Sequence, residues 1–331
     1  MSEPVWISEQ QVVAMMNLSG AIAALETGLA QQASGAATNM SKTHVAWGHS
    51  NLHAIGAAFP RARMIGTKTW AHTDGGACPL LVLFDSENGQ LRAIVEAFAL
   101  GQMRTGGISG VATKWLAQPD ADVFALIGTG KQAISQLAAV AAVRKLKLAR
   151  VFSPTADKRR AFVDKARAKF TSIEIVEAKS VEEAVANAPI VTTVTRATEA
   201  FLSASALARG THVNAVGAIT SDRVELADDV FARCTKAVVD DAGTARRLST
   251  EYIRAFSTGK NEADGWSRVL PLCDVVAKRI ARDADDDLTI FKAMGMGVSD
   301  LALGMRLVEL ARDRGLGEPL PQPRREAPRL D

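Results

Sequence analysis

The stretch Val123-Phe124-Ala125-Leu126-Ile127-Gly128-Thr129-Gly130-Lys131-Gln132-Ala133 decides the reading of the chain. An apolar run passes directly into a glycine turn, and an alanine-rich segment with good helix formers continues to Val143. That pattern is strand, turn and helix. Gly128 permits the sharp turn, Gly130 has no side chain to block a pyrophosphate, and Ala133 lets the helix pack close to the strand. The first amides of the helix then face the phosphates. A short strand candidate, Leu148 to Phe152, follows at the spacing of a βαβ unit. Glycine pairs of this kind are common, so the assignment rests on the strand before and the helix after as much as on the glycines. Gly128, Thr129, Gly130, Lys131 and Gln132 are the candidate phosphate-turn residues.

Beyond the turn the rhythm continues. Strand candidates Ile173 to Val176, Ile190 to Thr195, Thr211 to Val216 and Ala237 to Asp240 alternate with helical stretches, which is the pattern of a doubly wound α/β sheet. Before the turn the pattern differs. Ser8 is a helix-cap candidate ahead of helically spaced apolar residues from Val12 to Leu29. Short β-like pieces follow: Leu52 to Phe59, Met64 to Trp70 and Leu80 to Phe84, the last leading into the hairpin turn Asp85-Ser86-Glu87-Asn88-Gly89. A helix over Gly101 to Ala117 leads through Gln118-Pro119-Asp120, a plausible linker, into the cofactor strand. Val298 to Arg312 is strongly helical, and the tail from Glu318 to Asp331 is rich in proline and arginine and reads as poorly ordered.

Composition bounds the function. The 331 residues are 47% hydrophobic and 23% charged, as in ordinary globular proteins, and the formal charge is only +3. Basic residues are scattered among acids, which argues against a nucleic-acid partner. No run is long enough for a membrane span and the first residues lack a signal-peptide pattern, so a cytoplasmic location is expected. The three cysteines, Cys78, Cys234 and Cys273, are too far apart for a C-x-x-C motif, and His44, His49 and His53 match no standard ligand spacing, so no metal is expected.

The acidic residue that binds ribose hydroxyls in NAD-preferring folds stands at the end of the second strand, where this chain has Ser153. Ser153 and Thr155, with Lys158 and Arg159 nearby, favour the 2′-phosphate of NADP(H) over NAD(H). In the first part of the chain two cations stand out, Lys68 within Gly66-Thr67-Lys68-Thr69-Trp70 and Arg104 within Gln102-Met103-Arg104-Thr105-Gly106. A lysine in an apolar strand is costly unless paired, and the arginine fork suits a carboxylate. Together they suggest an amino-acid-like or 2-oxo-acid-like substrate. The bland alternative is a snorkelling Lys68 and an Arg104 paired with a structural acid such as Glu96. Trp70, His72 and Met40 are further pocket candidates.

These motifs, taken with Ala112-Thr113-Lys114, Val213-Asn214-Ala215-Val216-Gly217-Ala218 and Phe291-Lys292-Ala293-Met294-Gly295, resemble the ornithine cyclodeaminase and mu-crystallin family in order and spacing over nearly the whole chain. The resemblance implies a Rossmann doubly wound sheet over residues 119–297. It also implies an α+β substrate-binding and dimerisation domain over residues 1–118 and 298–331, completed by the C-terminal helix. By the same resemblance Lys68 and Arg104 are catalytic, Lys42, Arg104 and Thr105 bind the substrate with Lys68, and Val216 and Gly217 join the cofactor site. The chain departs from the family after Val216-Gly217-Ala218: the aspartate used in proton transfer is replaced by Ile219, and Asp222 lies three residues on.

The function expected is an NAD(P)H-dependent reductase of an α-imino acid or cyclic ketimine, reversibly an amino-acid dehydrogenase and a homodimer. The alternatives are a cyclodeaminase-like lyase with internally recycled NAD and a mu-crystallin-like small-molecule binding protein.

Overall fold

The structure, a computed structural model, describes residues 3–257 and 262–331. Contacts divide the chain into two compact units. The first comprises Met1–Asn17, Ser34–Gly101 and Met296–Asp331, and the second Leu18–Ala33 and Gln102–Gly295.

The first unit is built on a mostly antiparallel sheet. Its strands are β1 (Val5–Ile7), β2 (Thr38–Asn39), β3 (Thr43–Trp47), β4 (Ser50–Phe59), β5 (Met64–Thr73), β6 (Gly76–Ala77), β7 (Leu80–Phe84) and β8 (Leu91–Glu96), with the short strand Glu318–Pro319. The order is Glu318–Pro319, β1, β8, β7, β5, β4, β2, with β3 paired to β4 and β6 to β5. Leu91, Ala93 and Val95 alternate inward on β8, as do Leu81 and Leu83 on β7, which is the period of a sheet with one face buried. Helix α1 (Glu9–Met15) starts at Ser8, whose hydroxyl accepts from Gln11 N while the Gln11 side chain accepts from Ser8 N.

The helix Gly297–Arg314 packs on the sheet and belongs to this unit. A side chain at Gly304 would collide with Leu81. A left-handed Gly315, φ 62°, ends the helix. The tail is more ordered at its start than its composition suggests: Glu318–Pro319 pairs with Val5 and Trp6, and Gln322 Nε2 donates to Leu91 O at 2.7 Å. In the β7–β8 turn only Gly89 takes a positive φ, 71°, while Asp85 Oδ1 accepts from Glu87 N (2.9 Å) and Asn88 N (3.3 Å). The carboxylate, more than the Asn-Gly pair, organises this turn.

The second unit holds helix α2 (Leu18–Ala33), helix α3 (Phe98–Leu116) from Gln102 onward, and an all-parallel sheet. Along the chain come β9 (Val123–Ile127), α4 (Ala133–Val143), β10 (Leu148–Phe152), α5 (Ala156–Lys169), β11 (Glu174–Glu177), β12 (Ile190–Thr193), β13 (His212–Ala215), β14 (Cys234–Val239), β15 (Val269–Pro271) and β16 (Leu288–Lys292). They order as β11-β10-β9-β12-β13-β16-β14-β15. The chain runs outward from β9 through β10 and β11 and returns beside β9 as β12, which makes the β9/β12 boundary the switch point of a doubly wound Rossmann sheet.

The passage between units falls within α3 at Gly101, earlier than the expected linker at 118–120. Small residues explain it. A Cβ at Gly106 would stand 2.5 Å from Ser135 O, at Gly107 2.7 Å from Leu25 Cδ1 and at Gly110 2.7 Å from Ile22 Cδ1, so α3 packs closely on α4 and α2 of the second unit.

Candidate active site

Lys68 lies on β5 and is only 4% exposed. It does not snorkel: Nζ donates to Asp300 Oδ1 at 2.5 Å, and Asp300, in the first turn of the C-terminal helix, is fully buried. Strand register places Lys68 beside Ile55 on β4 and Leu81 on β7, and two residues on beside Trp70, which pairs with His53. The ring of His53 stacks between Trp70, at 4.7 Å, and His44, at 5.5 Å. Lys68 Nζ sits 5.2 Å from the Trp70 ring centroid. One face of the sheet thus carries the lysine, its carboxylate partner and an aromatic ladder. Burial, and then the charge of Lys42, His44 and His72, pushes the His53 ring down to about 4, so it is neutral at pH 7. Lys42, half-buried between β2 and β3, belongs to the same neighbourhood by that electrostatic contact.

Arg104 and Thr105 lie in the second unit, on α3. Thr105 O accepts from Gln136 Nε2 at 3.2 Å, which ties this turn of α3 to α4. The Glu96 carboxylate accepts from Trp6 Nε1 (3.1 Å) and Glu9 N (2.6 Å) in the first unit. The acid near Arg104 is Asp240, after β14. Its carboxylate accepts from Asp241 N (2.8 Å), Met294 N (2.7 Å) and Gly295 N (2.8 Å). Gly295, at φ 82°, brings its backbone so close to the guanidinium that a Cβ would lie 3.0 Å from Arg104 Nη1. Burial pushes the Asp240 carboxyl up to about 6, against the opposing pull of the two loop amides and of Arg104.

The glycine turn has the geometry a pyrophosphate needs. Gly128 takes φ 110°, and a Cβ there would stand 2.6 Å from Val194 O, so only glycine fits. Gly130 opens onto free space, Thr129 and Gln132 are half-buried and Lys131 is exposed. Fully buried Ala133 begins α4 at once. This is a cradle a dinucleotide fits, with the helix amides directed at it.

At the end of β10 Ser153 is buried, and its carbonyl accepts from Arg159 Nη1 at 2.7 Å. Arg159 Nε also pairs with Glu177 at 3.0 Å. Thr155 is the N-cap of α5 but makes no capping bond with its side chain, and Lys158 is exposed. After β13, Val216 is buried and Gly217 half-buried, and Val216 N donates to Thr193 O at 2.8 Å. Ile219 is 37% exposed. Asp222 is exposed, and the Thr220 hydroxyl holds its carboxyl below the ordinary value, the opposite of what a neutral-pH proton donor requires.

Asp300 and Asp240 were missed by sequence reading. Neither stands in a local motif: Asp300 is 232 positions from Lys68 and meets it only because the C-terminal helix returns to the first sheet. The one available signal was the cost of an unpaired lysine in an apolar strand, which calls for an acid without saying which.

A Rossmann sheet with a phosphate turn, together with a second sheet carrying a buried lysine–aspartate pair, defines a nicotinamide-dependent oxidoreductase. The model of the ornithine cyclodeaminase/mu-crystallin family matches residues 3–314. The chain belongs to that family. A Delta(1)-pyrroline-2-carboxylate reductase of Bacillus cereus is 32% identical over 81% of this chain and 80% of its own length. Among solved structures, Thermococcus litoralis Delta(1)-pyrroline-2-carboxylate reductase in complex with NADH and L-proline superposes with a TM-score of 0.86 at 25% identity, over 96% of this chain and all of that one. An archaeal alanine dehydrogenase dimer with bound NAD gives 0.86 at 25% identity, over 97% of this chain and 99% of that one.

Proposed function

We propose that the protein is an NAD(P)H-dependent reductase of an α-imino acid or cyclic ketimine, reversibly an amino-acid dehydrogenase. The observation that carries this reading, in a chain of this family, is the buried Lys68–Asp300 pair. The nicotinamide supplies a hydride when bound. Arg104 and Lys42 are the carboxylate-binding cations, with Thr105 as a secondary polar contact. Lys68 Nζ gives a proton to the nitrogen that receives the C=N electron pair, and solvent restores it. Asp300 aims Nζ and balances its charge.

The finer preference for NADP(H) over NAD(H) is supported by Ser153 where a carboxylate would repel a 2′-phosphate, and by Arg159 fixed beside it. Glu177 already takes part of the Arg159 charge, so the preference is modest. A homodimer is supported by an apolar face of the first sheet: Val45, Trp47 and Leu52 are 58%, 50% and 44% exposed. Free thiols at all three cysteines fit a reducing cytoplasm. Ile219, with Asp222 exposed, argues against a cyclodeaminase.

The test follows nicotinamide absorbance with NADPH and NADH against Delta(1)-pyrroline-2-carboxylate and against 2-oxo acids with ammonia or methylamine. Steady cofactor oxidation is expected, faster with NADPH. Ammonia release from ornithine or lysine without net oxidation would replace the reading with a lyase. Tight ligand binding without turnover of any imine would make the protein a binding protein.

A further inference from the structure

Behind the carboxyl ends of β12 and β13 lies a buried carboxylate that has no part in the proposed chemistry. Glu225 is fully buried. Its two oxygens accept from Thr193 Oγ1 (2.9 Å), Thr195 N (2.7 Å), Thr195 Oγ1 (2.8 Å), Gly217 N (2.8 Å) and Ala218 N (3.2 Å). All these donors come from the ends of β12 and β13 and the loops that follow. Glu225 is itself anchored from behind. Glu251 Oε1 accepts from Glu225 N (2.6 Å) and Leu226 N (2.8 Å), and Glu251 Oε2 pairs with Lys292 at 2.7 Å, both side chains having no exposed surface.

Burying a carboxylate costs more than burying an apolar residue of similar volume, so two of them in one core call for a reason beyond packing. The location supplies it. In an open parallel sheet the dinucleotide lies outside the carboxyl ends of the strands at the switch point, here the ends of β9, β12 and β13. Three loops converge there by backbone contact. A Cβ on Gly128 would meet Val194 O at 2.6 Å, and one on Gly217 would collide with the Thr195 backbone and with Glu225 Oε1. Val194 N also donates to Ile127 O at 2.9 Å. Glu225 sets the spacing of the second and third loops.

We propose that Glu225 is a positioning residue for the nicotinamide half of the cofactor. It clamps Thr195 to Gly217–Ala218, so that the backbone of these loops presents a fixed surface to the ring, while the adenine half is held by the Gly128 turn and the Ser153 region. The inference rests on the nicotinamide-dependent reading of this chain. It assigns a role to the Lys292 motif as well: Lys292 neutralises Glu251, and Glu251 holds the backbone that carries Glu225.

The experiment is equilibrium binding of NADPH and of adenosine 2′,5′-bisphosphate, the adenine-side fragment, to wild type, Glu225→Gln and Thr193→Val. The amide of Glu225→Gln places a donor among donors, and the valine removes one bond at constant shape. Glu225→Gln should weaken NADPH by about tenfold and Thr193→Val by about threefold, with the fragment unchanged within about twofold in both. Equal weakening of both ligands, or no change in either, overturns the proposal. If Glu225→Gln does not fold, Thr193→Val decides, and an unchanged NADPH affinity there is equally fatal. A wild type that binds NADPH but reduces no imine would overturn the reductase reading alone; one that binds no dinucleotide would overturn both.

Discussion

Lys68 is held in its sheet by an opposite charge at 2.5 Å with almost no solvent to screen it, so the two partners have different consequences when removed. Lys68→Ala takes away the proposed proton donor. It should lower kcat by about a hundredfold or more and leave NADPH affinity within about twofold, in steady-state kinetics alongside a binding titration. Retained turnover would sink the role. Asp300→Asn leaves an ammonium buried against an amide and should cost about 3–5 kcal/mol of stability in urea unfolding. A second residue-scale prediction concerns His212, fully buried between Thr289 Oγ1 (2.9 Å) and Asn214 Oδ1 (3.1 Å). Burial pushes its ring from 6.5 down to about 3. Below pH 6.5 the unfolded chain takes up a proton that the folded one refuses. The stability His212 contributes is therefore complete above pH 6.5 and is lost as pH falls towards 3, on the order of 5 kcal/mol in all. Asp240, raised from 3.8 to about 6, works in the opposite sense: its contribution is present below 3.8 and lost as pH rises through 6. Unfolding free energies at pH 7 and pH 4.5 should therefore be compared between wild type and His212→Asn, which should lose less on acidification. Equal losses would show that His212 does not set the acid limb.

The elements owe their positions to small residues at crossings as much as to apolar faces. The C-terminal helix begins at Gly297 against β4, and a Cβ there would run into the carbonyl of Gly56. Gly56 is constrained in turn, because its own Cβ would meet Gly66 O on β5. Gly297→Ala should therefore destabilise by about 1–3 kcal/mol and, by moving the first helical turn that carries Asp300, lower kcat at fixed substrate. Thermal unfolding with kinetics at a temperature where the variant is fully folded checks both. An unchanged melting temperature would mean that the helix start shifts freely. Strands β7 and β9 were legible in the sequence because each is a short apolar run ending at a turn signal. Strand β15, Val269–Pro271, was not: three residues with no alternation carry no periodic signal, and only pairing with β14 makes them a strand.

At the scale of the molecule the first sheet offers an unburied apolar face, on which register sets Val45 across from Leu52 and Trp47 across from Ser50. On the proposed homodimer, Trp47→Glu should shift sedimentation from dimer towards monomer at micromolar concentration while leaving the secondary structure intact. A variant that stays dimeric would place the interface elsewhere. The sequence by itself determined the doubly wound domain and its phosphate turn, because strand, turn and helix there are consecutive and each step is dictated by local chemistry. It also marked Lys68, since a charge in an apolar strand violates a local rule. The partners of its charges were decided only by tertiary structure. Asp300 reaches Lys68 through a helix that returns from the far end of the chain, Asp240 binds the Gly295 amide 55 positions away, and Glu225 binds the Thr195 amide 30 positions away. The need for a counter-charge is a local property, but which residue supplies it depends on where the fold brings distant segments together.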